Sequence, residues 1–311
     1  MRIVILGSGG VGGYFGGRLA QAGEEVIFVA RGDHLRAMRS QGLRVESIKG
    51  DFIIHPVQAT DDPQIAGEAD FVLVCVKAWQ VPEVAPLVRP MTGPQTAVVF
   101  LGNGVEAPDQ LKAALGSEHV LGGLCQISSL VAGPGHIRHV GIEPHVVFGE
   151  LDGRSSQRVE RLKQAFERAG VSVAVPADIL SAMWDKFLFI ASISGVGAVA
   201  RAPAGVLRRL PETRRLLEQA MQEILTLAHA CQIALPEEAV TKRMAFVDGL
   251  PAAVVASMQR DIMEGRPSEL NSQNGAVVRM GLETGTPTPT HTFLYHSLLP
   301  QELRARGEIN F

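Results

Sequence analysis

Cysteine is scarce and poorly placed for cross-linking or metal binding. The 311-residue chain holds three, Cys75, Cys125 and Cys231, an odd and scattered set. That pattern excludes a disulfide framework and offers no metal-ligand spacing, so a bound metal is not expected. It leaves three small apolar fillers in a reducing compartment. Net charge is small as well, at -3. The broad basic field that nucleic acid or an anionic membrane surface would attract is missing, so neither is an expected partner. Any anionic ligand must instead be met by a few local cations. Long hydrophobic runs are also lacking. The longest uncharged apolar-rich stretch, 187–200, is short for a bilayer and contains two serines and two glycines. The opening MRIVILGSGG has neither the apolar core nor the cleavage site of a signal peptide, which makes the cytoplasm the expected location.

What is present is an ordinary globular composition, 46% hydrophobic and 20% charged, and enough length for two domains. Short β-branched runs alternate with helical patterns in the first half: RIVIL (2–6), EVIFVA (25–30), DFVLVCVK (70–77) and TAVVFLG (96–102). Continuous apolar strands separated by helices indicate a parallel sheet covered on both faces. LRVES and DFIIHPV suggest a small hairpin around Lys49-Gly50-Asp51, further short strands fall within 119–149, and SVAVP (172–176) reads as the last strand. From Asp178 onward the patterns are helical, near 178–195, 211–231, 236–247, 251–264, 268–284 and 290–306. The expected fold is α/β, a doubly wound sheet domain over 1–176 followed by an all-helical domain over 177–311.

The first strand runs into Gly7-Ser8-Gly9-Gly10-Val11-Gly12, a G-x-G-x-x-G that opens a helix. In this context Gly7 permits a tight turn, Gly9 lets a pyrophosphate approach the backbone, and Gly12 lets helix and strand pack closely. The phosphates would sit at the positive end of the helix. The second strand ends FVARGDHL, with Arg31 where NAD sites usually carry an acid for the ribose hydroxyls. A guanidinium there can fork onto a 2′-phosphate, which favours NADP. Asp33 competes with that reading, but in GDHL it reads better as an N-cap.

The segment AMWDKFLFIASISGVGAVA, 182–200, carries one lysine, Lys186, in an otherwise apolar stretch. A lysine can snorkel, its stem on apolar surface and its head in water, or it can be held for chemistry. The adjacent Asp185 points to a different side of a helix and is not its natural partner.

Two more strand ends carry polar groups, Lys77 in VCVKAWQV and Asn103-Gly104 in FLGNGVEA, where ligands of open α/β sheets bind. Taken with ILGSGGVGGYFGG, MWDKFLF and SMQRDIMEGRPSELNSQNG, they give a chain that resembles the ketopantoate reductase (2-dehydropantoate 2-reductase) family along essentially its whole length. The resemblance implies an N-terminal Rossmann-type domain, a C-terminal helical domain, NADPH as reductant and a 2-oxo acid as substrate, as in pantothenate biosynthesis. It implies Lys186 as catalytic lysine and Glu269 as catalytic or substrate-positioning carboxylate, with Glu269 the candidate partner of Lys186. It also implies Ser257 and Asn103 as substrate contacts, Asn103 on the nicotinamide side too, Lys77 as an active-site cation and Arg31 as the 2′-phosphate ligand. Without the resemblance, Glu269 near a helix start reads as a capping acid, Ser257 as a mid-helix packing or surface serine, and Lys77 and Asn103 as plain loop residues.

The chain also departs from the family. Asparagines expected four and eight residues after the lysine are Ile190 and Ser194, and a third position, counted without gaps, is Ala204. Ile190 makes that wall of the expected substrate site more apolar, which points toward a 2-oxo acid other than, or besides, ketopantoate. Two rival readings remain: a 3-hydroxyacid dehydrogenase, and a nucleotide sensor that keeps the glycine turn without the chemistry. A homodimer is compatible with all three.

Overall fold

The computed structural model describes all 311 residues, which fold as two compact units. The first comprises Met1–Gly102 and Ala107–Ile179, the second Asn103–Glu106 and Leu180–Phe311. The sequence reading puts its boundary between 176 and 177. The composition change carries no sign that a four-residue piece of a strand-end loop belongs with the helices.

The first unit runs β1 (Arg2–Leu6), α1 (Gly10–Gln21), β2 (Glu25–Val29), α2 (Gly32–Gln41), β3 (Leu43–Ser47), β4 (Phe52–Ile54), β5 (Gln58–Thr60), α3 (Pro63–Ala66) and β6 (Ala69–Val74). It continues with α4 (Val81–Val88), β7 (Thr92–Phe100), α5 (Ala107–Leu115), β8 (Val120–Gln126), β9 (Ser129–Gly133), β10 (His136–His139), β11 (His145–Glu150), α6 (Gln157–Arg168) and β12 (Ser172–Ala174). Eight strands make the main sheet in the order β12-β11-β8-β7-β6-β1-β2-β5. β1 pairs in parallel with both β2 and β6, so the winding reverses beside it. Alternate residues of β1 serve opposite cores. Ile3 and Ile5 pack in a cluster with Phe15 and Phe166, while Val4 and Leu6 pack in another with Val81 and Leu111. Covering both faces is why these strands are apolar throughout.

The hairpin expected around Lys49-Gly50-Asp51 is present, β3 antiparallel to β4. It is half of a second sheet, ordered β4-β3-β10-β9, in which β10 runs parallel to β3. Helix α1 is glycine-rich because it is squeezed by both sheets. A Cβ on Gly12 or Gly16 would strike Ile5 of the main sheet at 2.7 Å. A Cβ on Gly10 would meet the Ser129 carbonyl at 2.5 Å, one on Gly13 would meet Ile137 at 2.7 Å, and one on Gly17 would meet Phe52 at 3.0 Å, all in the second sheet.

The second unit holds α7 (Ile179–Ala200, whose first residue counts with the first unit), α8 (Ala204–Arg209), α9 (Pro211–Ala230), α10 (Ala239–Gly249), α11 (Ser257–Met263), α12 (Asn274–Thr284) and α13 (Pro289–Ala305). Helix α8 is not anticipated by the periodicity. Helix α11 starts six residues later than expected, because 251–256 has another use. Its carbonyls at Val254 and Ala252 accept from the amides of Ala204 and Gly205, satisfying donors at the start of α8. Helix α7, at 22 residues, is long and apolar enough to cross a membrane, unlike the shorter 187–200 run within it. Phe187, Leu188, Ala191 and Val196 are buried in one cluster with Leu217, Met221 and Ile224 of α9. Asp185 is held by both Nε and Nη2 of Arg243 on α10.

Candidate active site

In the first unit, the glycine turn lies at the carboxyl end of β1. Gly7 has φ +97°, and a Cβ there would sit 2.7 Å from Val76 Cγ1. At Gly12 the added atom would fall 2.1 Å from the Gly7 carbonyl oxygen, so helix and turn touch backbone to backbone. At Gly9 it would meet nothing within 4 Å, which leaves the turn open on that side. Ser8 is buried and its Oγ donates to the Val29 carbonyl at 3.0 Å. Gly9 is the N-cap of α1 and makes no side-chain cap, and the first turn holds no acid. The first amides and the positive end of the helix therefore face no competing anion of their own helix. Val11 is half-buried against the core.

Arg31 is exposed at the end of β2, where it occupies the N-cap position of α2. Asp33 is not the N-cap, contrary to the sequence reading. It lies within the first turn, exposed, and pairs with Arg36 one turn on. An acid there is favoured by the helix dipole, so its presence needs no ribose to explain it. The next residue, His34, braces the glycine turn. Its Nδ1 accepts from the Gly135 amide at 3.1 Å, so Nε2 carries the proton and donates to the Ser8 carbonyl at 2.9 Å. Burial pushes the His34 pKa down and favours this neutral form. Lys77 follows β6, half-buried, and its amide and carbonyl bond to Gln80 to start a tight turn.

In the second unit, Glu269 is 3% exposed. It does not start a helix as expected. It lies in a turn segment five residues before α12, and its carbonyl accepts from the amides of Ser272 and Gln273 at 3.1 and 2.9 Å. Its Oε2 accepts from Asn103 Nδ2 at 2.9 Å and from Gln273 Nε2 at 3.3 Å. Two residues 166 apart in sequence thus meet, and the Asn103 segment is further fixed by Glu106 accepting from Arg279 at 2.9 Å. Lys186, Ile190 and Ser194 follow at four-residue spacing on one face of α7. Lys186 and Ile190 are half-buried, and Ile190 packs against the helical core. Ser194 is fully buried and its Oγ has no hydrogen-bond partner, so it presents no surface to a solute. Ala204 is buried at the start of α8. Ser257 is not mid-helix but the exposed first residue of α11.

Sequence reasoning missed several buried polar groups around this segment. Asn274 donates to the Ala191 carbonyl at 3.2 Å and to His291 Nδ1 at 3.0 Å, and His291 Nε2 donates to the Ala220 carbonyl at 3.0 Å. The one available signal was the polar run Ser272-Gln273-Asn274 within an apolar helical period.

Comparison with known proteins agrees with this architecture. The profile described as "Ketopantoate reductase PanE/ApbA" matches residues 3–153, and "Ketopantoate reductase PanE/ApbA C terminal" matches 178–302. The chain belongs to the ketopantoate reductase family. Among relatives of this family, the 2-dehydropantoate 2-reductase of Halobacterium salinarum is 30% identical over 291 residues, 93% of this chain and 95% of that protein. The "Uncharacterized oxidoreductase YkpB" of Bacillus subtilis is 28% identical over 300 residues, 96% and 98% of the two chains. A crystal structure of a PanE/ApbA family ketopantoate reductase from Ralstonia eutropha superposes with a TM-score of 0.90 at 30% identity, covering 98% of this chain and all of that one. A D-mandelate dehydrogenase structure, at 20% identity and TM-score 0.89, shares the fold. Membership of the ketopantoate reductase family makes this chain an oxidoreductase of the 2-oxo acid reductase type.

Proposed function

We propose that the protein reduces a 2-oxo acid to the 2-hydroxy acid with NADPH. The observation that carries the cofactor half is the glycine turn, open at Gly9 and closed at Gly12, with exposed Arg31 at the end of the neighbouring strand. That cradle suits a dinucleotide whose pyrophosphate lies on the first amides of α1 and whose 2′-phosphate is forked by Arg31. Lys77 supplies a further cation at the same sheet edge. When bound, the reduced nicotinamide supplies a hydride to the keto carbon. Lys186 then stabilises the charge developing on the oxygen and protonates it, as electrostatic stabiliser and general acid. Glu269, steadied by Asn103, pairs with the Lys186 ammonium and orients the substrate. Ser257, exposed at a helix start, is suited to the substrate carboxylate.

The half-buried Ile190 favours a 2-oxo acid with an apolar side chain over a hydroxylated one, because an aliphatic wall offers a hydroxyl no partner. The test mixes purified protein with NADPH or NADH and a panel of 2-oxo acids, following nicotinamide absorbance. Turnover with NADPH is expected. Arg31→Ala should weaken NADPH by roughly tenfold to a hundredfold, the worth of a charged hydrogen bond, and leave NADH nearly unchanged. Tight NADPH binding without turnover of any acid would replace the enzyme reading with a sensor. Equal losses for the two cofactors would remove Arg31 from the 2′-phosphate.

A further inference from the structure

Glu302 lies near the end of α13 and is 3% exposed. A carboxylate that deep is costly unless its oxygens are saturated. Here they are. Oε1 accepts from the Ser268 amide at 3.0 Å and from Arg306 Nε at 2.7 Å, and Oε2 accepts from Ser268 Oγ at 2.5 Å. Arg306 Nη2 donates to the Ser268 carbonyl at 3.1 Å. Ser268 Oγ in turn accepts from the Leu270 amide at 3.1 Å. Every polar atom of the fully buried Ser268 is therefore engaged, and most of those bonds end on Glu302 or Arg306.

Ser268 directly precedes Glu269. On the other side, Leu270 is fully buried against Leu298 and Met258, and its carbonyl accepts from the Gly275 amide at 3.0 Å. With both neighbours locked, the Glu269 backbone has no freedom, and Asn103 and Gln273 settle its side chain. Stability alone does not call for this arrangement. A buried ion pair is usually matched or bettered by apolar residues of similar volume. What the charge supplies is directional bonding to the backbone of one residue.

We infer that Glu302, with Arg306, is a positioning residue that fixes the carboxylate of Glu269. The inference rests on the proposed function only in taking Glu269 as part of the reacting site. Crystal structures of the wild type and of Glu302→Gln, which keeps the volume but not the acceptor for Ser268 Oγ and amide together, give one test. The Glu269–Asn103 bond should be lost or lengthened, and an unmoved Glu269 overturns the proposal. Kinetics give the second. With the best-used 2-oxo acid, Glu302→Gln and Arg306→Lys should each lower kcat/KM at least tenfold, with NADPH affinity within twofold of wild type. In a Glu269→Gln background, Glu302→Gln should cost less than twofold more. Additive losses across that cycle refute positioning, because independent sites add and a shared function does not. A Glu269→Gln variant with normal kcat/KM would instead remove Glu269 from the reaction. The crystallographic comparison would still decide whether Glu302 places it.

Discussion

The glycine turn of the first unit and the Glu269 segment of the second are built by opposite means. The turn is shaped by missing side chains: Gly7 supplies a positive φ, Gly12 a backbone contact and Gly9 open space. Its few side-chain bonds, from Ser8 and His34, run to backbone groups, the Val29 and Ser8 carbonyls and the Gly135 amide. The Glu269 segment is shaped by side chains in abundance, with Gln273 one turn away and partners at Asn103, Glu302 and Arg306 drawn from two distant parts of the chain. A backbone device recognises what all dinucleotides share. A side-chain device can be retuned one residue at a time.

The largest expected effect lies at Lys186, which α7 carries in the same unit as the Glu269 segment. Lys186→Ala should lower kcat by about 10³-fold or more, combining loss of a general acid and of a charge stabiliser. NADPH affinity, measured by fluorescence titration, should stay within a few fold. A variant retaining near-normal turnover would place the proton donor elsewhere. If NADPH binding collapsed together with turnover, the division of labour between the two regions would be wrong.

Next in size is a paired test of the turn itself. Gly12→Ala places a methyl 2.1 Å from the Gly7 oxygen, so the helix must move off the strand. A loss of about 1–3 kcal/mol in unfolding free energy is expected, as for other overpacked sites, with cofactor binding lost alongside. Gly9→Ala meets nothing in the protein, so stability should change by no more than about 1 kcal/mol, the cost of a poorer N-cap. Its methyl would nonetheless stand where phosphate is expected, and NADPH affinity should fall while Tm barely changes. Equal changes in Tm for the two variants would contradict the distinct roles given to these glycines.

The same contrast explains what could be read in advance. The glycine spacing, the apolar strands and the β3–β4 hairpin are local, and local patterns with turn residues at fixed offsets are visible in one sequence. Asp33 was misassigned because caps and first-turn acids differ by one residue or two, within the usual uncertainty of a helix end. The start of α11 was misplaced for a different reason. Residues 251–256 have helical composition, but their carbonyls are committed to α8, some fifty residues earlier. Nothing local reports such a debt. Likewise no pattern announces that Glu302 will clamp Ser268, or that Asn274 will bond His291. The resemblance to a family nominates Lys186 and Glu269. It was silent on what holds Glu269 in place.

The smallest expected effect is on acid stability, and each region contributes one histidine to it. Burial depresses the pKa of His34 beside the glycine turn and of His291 beneath Asn274. The unfolded chain, with ordinary histidines near 6.5, therefore takes up protons before the folded one does. The stability both groups contribute is complete above that value. It declines as pH falls from about 6.5 toward their lowered folded values. The stability from carboxylates with depressed pKa values, Glu24, Asp70 and Glu150 among them, is lost only at lower pH still, so they do not blur this window. Tm measured between pH 7.5 and 5.0 should fall with acid. The slope should flatten in His291→Gln, the more deeply buried case, and flatten less in His34→Gln, which is only half-buried and partly screened by solvent. NADPH affinity separates the two regions over the same range. Protonating His34 removes the acceptor for the Gly135 amide and loosens the turn, so acid should weaken NADPH in the wild type and in His291→Gln but much less in His34→Gln. An acid dependence of NADPH binding that survived His34→Gln intact would show that this histidine braces nothing the cofactor uses.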